Sequence, residues 1–200
     1  GEPHIIKRLH VGETYILREE FAPYGYLKAE EVEFTITDTA EIQKVEMKDD
    51  VPIGRIIINK KGEFLSEVSW NDMVAGAMDS IWGYVTGSLK DVTFEIYARE
   101  DIKAADGESD DYYKKDELVA TIKTDELGIA RTDDLPLGKY YVVEKETADG
   151  FVLDGEPRDI DLTYRDQNTP VVTYDEDWQN NRQKAKVTVV KKEKNTFLPI

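Results

Sequence analysis

The chain has 200 residues, with 42 Asp and Glu against 26 Lys and Arg, for a formal net charge of −16. Such acidity argues against nucleic acid or an anionic membrane surface as a partner, because both would repel it. No cysteine is present, which excludes disulfides, thiolate catalysis and cysteine-based metal sites, and no apolar run approaches the ~18 residues of a membrane helix.

Taken in order, the segments VEFTIT from Val32, GRIIIN from Gly54, VTFEIYA from Val92 and LVATIKT from Leu118 are short and rich in Val, Ile, Thr and Tyr. KYYVVEKE from Lys139, RDIDLTY from Arg158, PVVTYDE from Pro170 and KVTVVKK from Lys186 continue the series. Gly, Pro, Asp and Asn separate them, so each predicts a strand. Only SEVSWNDMVAGAMDS from Ser66 hints at a helix, and its glycine suits a loop as well. Many short strands at near-regular spacing predict an all-β fold of sandwich domains.

The chain also repeats. Tyr15, Leu17, Glu19, Gly25 and Tyr26 align with Tyr140, Val142, Glu144, Gly150 and Phe151 at a constant offset of 125. GRIIINKK from Gly54 aligns with AKVTVVKK from Ala185, so that Lys60 meets Lys191. Two landmarks recurring in the same order predict tandem domains. Residues 1–50 read as the C-terminal half of one domain, 51–182 as a complete domain with an inserted hairpin at about 63–87, and 183–200 as the first strand of a third.

Within YYVVEKETADGF, Glu144 shares a strand face with Tyr140 and Val142, where a core residue is expected. Lys60 ends the first strand of the same repeat, and Asn180 and Asn181 end the last. First and last strands of a sandwich are often neighbours, so the three side chains can meet. A lysine amine can then attack the asparagine carboxamide, release ammonia and leave an amide crosslink. The lysine must be neutral to attack, which an apolar site favours. A carboxyl can polarise the amide and carry protons, while the core supplies proximity. Asn180 is preferred over Asn181 because it shares strand parity with Trp178.

The segments GETYILREEFAPYGY and GKYYVVEKETADGF resemble the Gly-x-Tyr-x-Leu-x-Glu…Ala-Pro-x-Gly-Tyr signature of Cna-B/SpaA-type domains. GRIIINK and AKVTVVK resemble the strand that opens such domains, and LKDVTFEIYA resembles their second strand. The resemblance implies prealbumin-like (inverse Ig-like) sandwiches from the extracellular, cell-wall-attached adhesins and pilins of Gram-positive bacteria. It implies an intramolecular isopeptide bond between Lys60 and Asn180 (or Asn181), assisted by Glu144, with no cofactor and no metal. By the same register, Glu19 with Asp49 or Asp50, and Lys191, would be matching positions in the flanking repeats. The chain departs from the pattern at Asp91-Val92 and at Thr147-Ala148, both expected to lie clear of the reacting trio.

Other segments carry weaker signals. ADGESDDYYKKDE from Ala105 and YDEDWQ from Tyr174 are acidic but lack the Asp-x-Asp-x-Asp-Gly order of a calcium loop, so solvated turns are expected. Trp70, Trp82 and Tyr84 could form a face for a host protein or glycan, or simply the hairpin's own small core. His4 and His10 have no ligand set nearby, and no hydrolase, zinc-protease or phosphate-loop motif occurs. The expected activity is therefore self-crosslinking rather than turnover. Expected partners are neighbouring domains of the same surface protein, with head-to-tail exchange of the Lys191 strand between copies as a further possibility. An accessory sandwich of a secreted enzyme would share this composition.

Overall fold

The alternating segments fold as two-faced strands. A computed structural model describes residues 4–70, 80–185 and 194. In chain order the strands are β1 (Thr14–Leu17), β2 (Val32–Thr35), β3 (Ile53–Trp70), β4 (Ser80–Ser88), β5 (Thr93–Ala98) and β6 (Leu118–Lys123). They continue as β7 (Ile129–Arg131), β8 (Leu135–Pro136), β9 (Gly138–Glu146), β10 (Arg158–Leu162) and β11 (Val171–Asn180). The fold is all-β, as the spacing of strand signals predicts.

One four-stranded sheet runs β10-β9-β5-β6, and a second runs β11-β3-β4 with β7 and β8 also paired to β3. Every second residue of β3 from Ile56 to Lys60, of β5 from Phe94 to Ala98 and of β9 from Tyr140 to Glu144 is buried. These faces meet as a sandwich core around Ile56, Ile58, Phe94, Ile96, Tyr140, Val142, Ile160 and Leu162. The buried Tyr140 hydroxyl donates to the Pro136 carbonyl at 2.6 Å, so its one polar atom is satisfied.

β3 is central and unusually long. Its first half pairs in parallel with β11, from Val171↔Ile53 to Asn180↔Gly62. Its second half pairs antiparallel with β4, from Lys61↔Ser88 to Trp70↔Ser80, with a register shift between Leu65 and Glu67. The weak helix signal over 66–80 is therefore strand at its described ends, because cross-strand pairing overrides local propensity; residues 71–79 lie outside the described part, as does most of the KVTVVKK segment.

β1 and β2 form a separate two-stranded sheet. The loop between β10 and β11 clasps the segment that joins them. The Gln167 amide accepts from Ala22 N at 2.8 Å and donates to Glu20 O at 3.3 Å. Tyr164 donates to Tyr26 O at 3.1 Å and meets Tyr24 edge-on at 4.8 Å.

Candidate functional site

The β3 and β9 alternations deliver two chargeable side chains to the core. Lys60 and Glu144 are each 1% exposed, and so is Asn180. The parallel register sets Trp178 opposite Lys60, which puts Asn180 one pleat beyond on the same face. Glu144 comes from the facing sheet, where it pairs with Phe94 on β5.

The Glu144 carboxylate bridges the other two groups. Lys60 Nζ donates to its Oε2 at 2.6 Å, and Asn180 Nδ2 donates to its Oε1 at 2.5 Å. The second Asn180 amide hydrogen goes to Thr147 Oγ1 at 2.8 Å. Asn180 Oδ1 is, among the described residues, the buried side-chain polar atom left without a partner. Aromatic rings wall the amine: Phe94 and Trp178 pack edge-to-face, with their centroids 5.6 and 5.9 Å from Lys60 Nζ. The Arg158 guanidinium lies 4.3 Å from the Trp178 centroid.

Burial pulls the Lys60 amine below its ordinary range, against the opposing pull of the Glu144 carboxylate; the positive charge of Arg158 adds to the lowering. This is the direction a nucleophilic amine needs.

The structure brings Lys60, Glu144 and Asn180 together and leaves Asn181 exposed. Thr147 corrects the expectation from sequence. It stands clear of the strand pattern, yet its hydroxyl accepts from the Asn180 carboxamide. The chain leaves β9 at Glu146 and turns back toward the end of β11, a path that alternation along the strand does not encode.

One backbone contact near this site has a counterpart in residues 1–50. Val152 N donates to Asn181 O at 2.9 Å, and Leu27 N donates to Asp50 O at 2.7 Å. Gly25 and Gly150, at matching positions, both have positive φ (94° and 83°), which suits glycine. That contact aligns Asp50 with Asn181 and hence Asp49 with Asn180. Asp49 is half-buried and Asp50 exposed. Partial burial and the neighbouring Glu19 and Asp50 carboxylates raise the Asp49 pKa. Glu19 accepts from Ala29 N at 2.9 Å. Lys191 lies outside the described residues, as do the side chains of Trp70 and Trp82. Tyr84 is half-buried with Lys184 Nζ 4.3 Å from its ring centre. In the acidic loop after β5, Asp106 accepts from Glu108 N and Ser109 N, a local turn on the surface.

Solved structures similar to this chain include the Bacillus anthracis TIE protein, 21% identical over 85% of this chain and 25% of that one, with a TM-score of 0.49. The full-length major pilin SpaD of Corynebacterium diphtheriae is 20% identical over 65% of this chain and 30% of that one, with a TM-score of 0.39. GBS52, the minor pilin of Streptococcus agalactiae, is 16% identical over 93% of this chain and 66% of that one, with a TM-score of 0.41. The chain spans less than a third of the length of the first two. No curated protein matches it. Residues 84–178 match a family model described as the SpaA prealbumin-like fold domain. That stretch contains Glu144 and Thr147 but stops short of Lys60 and Asn180, which the strand pairing places. The resemblance carried by the sequence motifs is thereby shown: over residues 84–178 this chain is similar to the SpaA prealbumin-like fold domain.

Proposed function

We propose that residues 51–182 form a structural domain of a Gram-positive cell-surface protein, a stalk or pilus segment stiffened by a self-formed amide between Lys60 and Asn180. The observation that carries this reading is the buried carboxylate of Glu144, which holds the lysine amine on one oxygen and the asparagine amide on the other.

That bridge is also a proton path. Transfer of one proton from the Lys60 ammonium to Glu144 gives a neutral amine beside a carboxyl. The amine attacks Asn180 Cγ, the Nζ–Cγ bond forms, and the Cγ–Nδ2 bond breaks. Of the two protons that Nζ loses, one departs on Nδ2 as ammonia and one stays on Glu144. The buried, preset geometry replaces an enzyme; proximity of this kind lowers barriers by about 7–11 kcal/mol. The reaction happens once per chain, so the domain serves as structure rather than as a catalyst with turnover.

A weld between β3 and β11 suits a load-bearing segment. Tension that enters at the start of β3 and leaves after β11 crosses the amide directly. Neighbouring domains of the same surface protein are the proposed partners, and the outside of the cell wall is the proposed location. Intact mass tests the reading. The wild-type chain should be about 17 Da lighter than its sequence mass, the ammonia lost in amide formation, while Lys60→Ala should match its own sequence mass. A wild-type chain at full sequence mass would overturn the crosslink.

A further inference from the structure

We propose that Thr147 is a positioning residue for crosslink formation: its hydroxyl holds the Asn180 carboxamide in the orientation from which Lys60 attacks and from which ammonia leaves. The proposal rests on the reading that Lys60 and Asn180 join.

The geometry assigns each amide hydrogen a partner. Nδ2 gives one to Glu144 Oε1 at 2.5 Å and the other to Thr147 Oγ1 at 2.8 Å. With both occupied, the amide plane cannot rotate about its Cβ–Cγ bond without breaking two hydrogen bonds. Attack on an amide carbon comes from above that plane, so a fixed plane presents a fixed face to the amine. Glu144 alone leaves one pivot, and Thr147 supplies the second point that defines the plane. The hydrogen held by Thr147 also keeps Nδ2 beside the Glu144 carboxyl as the carbon becomes tetrahedral, when that nitrogen must collect its proton.

Position matters as well as bonding. Thr147 is half-buried and lines a surface groove of about 500 Å³ together with Phe64, Ser88, Leu89 and Phe151. Its hydroxyl therefore stands between the buried amide and water. Ammonia released at Nδ2 meets that hydroxyl first and the groove next. The signature this chain resembles has alanine at this position, which offers no hydroxyl.

The test follows crosslinking over time in the full chain. Protein made by cell-free translation is sampled into denaturant, and intact mass gives the linked fraction. Wild type should link, and Thr147→Val, nearly the same size without the hydroxyl, should link about tenfold to a hundredfold more slowly. Thr147→Ser, which restores the hydroxyl, should recover a rate within about threefold of wild type. Circular dichroism of each variant in a Lys60→Ala background, where no bond can form, reports folding separately. The proposal is overturned if the Val variant links at the wild-type rate, if the Ser variant is as slow as Val, or if slow linking merely follows loss of the sheet signal. A wild-type chain that never loses about 17 Da overturns the crosslink reading, and this proposal with it.

Discussion

Trp178 lies directly opposite Lys60 across the parallel β11–β3 pair, yet the residue joined to the Lys60 amine through Glu144 is Asn180, two positions further along. The offset has a chemical use. The indole walls the amine 5.9 Å from the ring centre, while the amide occupies the next inward position, where Glu144 can reach both. One strand thus contributes the apolar wall and the buried carboxamide.

That arrangement predicts a large effect of losing the link. Asn180→Ala should keep its full sequence mass and melt at a lower temperature than wild type. Tying together residues about 120 apart is worth roughly 4–5 kcal/mol by the loop-closure relation used for disulfides. Calorimetry of the two proteins checks it; equal melting temperatures would show that no bond forms.

Glu144→Gln should abolish the mass loss while leaving the sheets intact, because the replacement has the same shape but cannot shuttle protons. Glu144→Ala should fare worse, since it leaves the Lys60 amine buried without a partner, a loss of about 3–5 kcal/mol. Mass spectrometry paired with urea denaturation separates the two effects.

The lowered Lys60 pKa sets a direction for pH dependence. In an unlinked chain such as Asn180→Ala, unfolding returns the lysine to its ordinary value of 10.5. Between the lowered folded value and 10.5 the unfolded chain binds more protons, so the Lys60 contribution to stability rises with pH and levels off above that value. Urea midpoints of Asn180→Ala, set against Asn180→Ala with Lys60→Met across the alkaline range, isolate the term. The stability of Asn180→Ala minus that of the double variant is expected to rise with pH; a fall would reverse the sign.

Gly128 supports the lysine strand from behind. Its carbonyl accepts from Lys60 N at 2.7 Å, and a Cβ at Gly128 would stand 2.5 Å from the Lys60 carbonyl oxygen. Gly107 also has positive φ, but nothing lies within 4 Å of a Cβ there. Both alanine variants bear the backbone strain of about 1–2 kcal/mol. Gly128→Ala should lose more, by about a further 1–3 kcal/mol for displaced backbone, and should also link more slowly. Denaturation of the pair makes the comparison.

Much of this was legible from residue spacing. The period-two pattern of KYYVVEKE places Glu144 inward, and shared parity with Trp178 selects Asn180 over Asn181, because a pleated strand allows only two faces. β7 and β8 escape such reading: three and two residues are too few to show alternation, and their pairing with β3 decides them. Thr147 escapes for another reason. It follows the end of β9, where backbone turns rather than side-chain period determine what meets what. Asp49 and Asp50 are chemically identical neighbours in the sequence, and the Leu27–Asp50 backbone contact and the partial burial of Asp49 tell them apart.

With the Lys60–Asn180 amide in place, the chain between those residues becomes a closed covalent ring. The exposed turn at Asp106, built on its own carboxylate, is a natural target for a protease. A cut there would open the ring without dividing the molecule, since both pieces stay joined through the amide. A surface protein nicked at this turn would therefore remain one continuous thread from end to end.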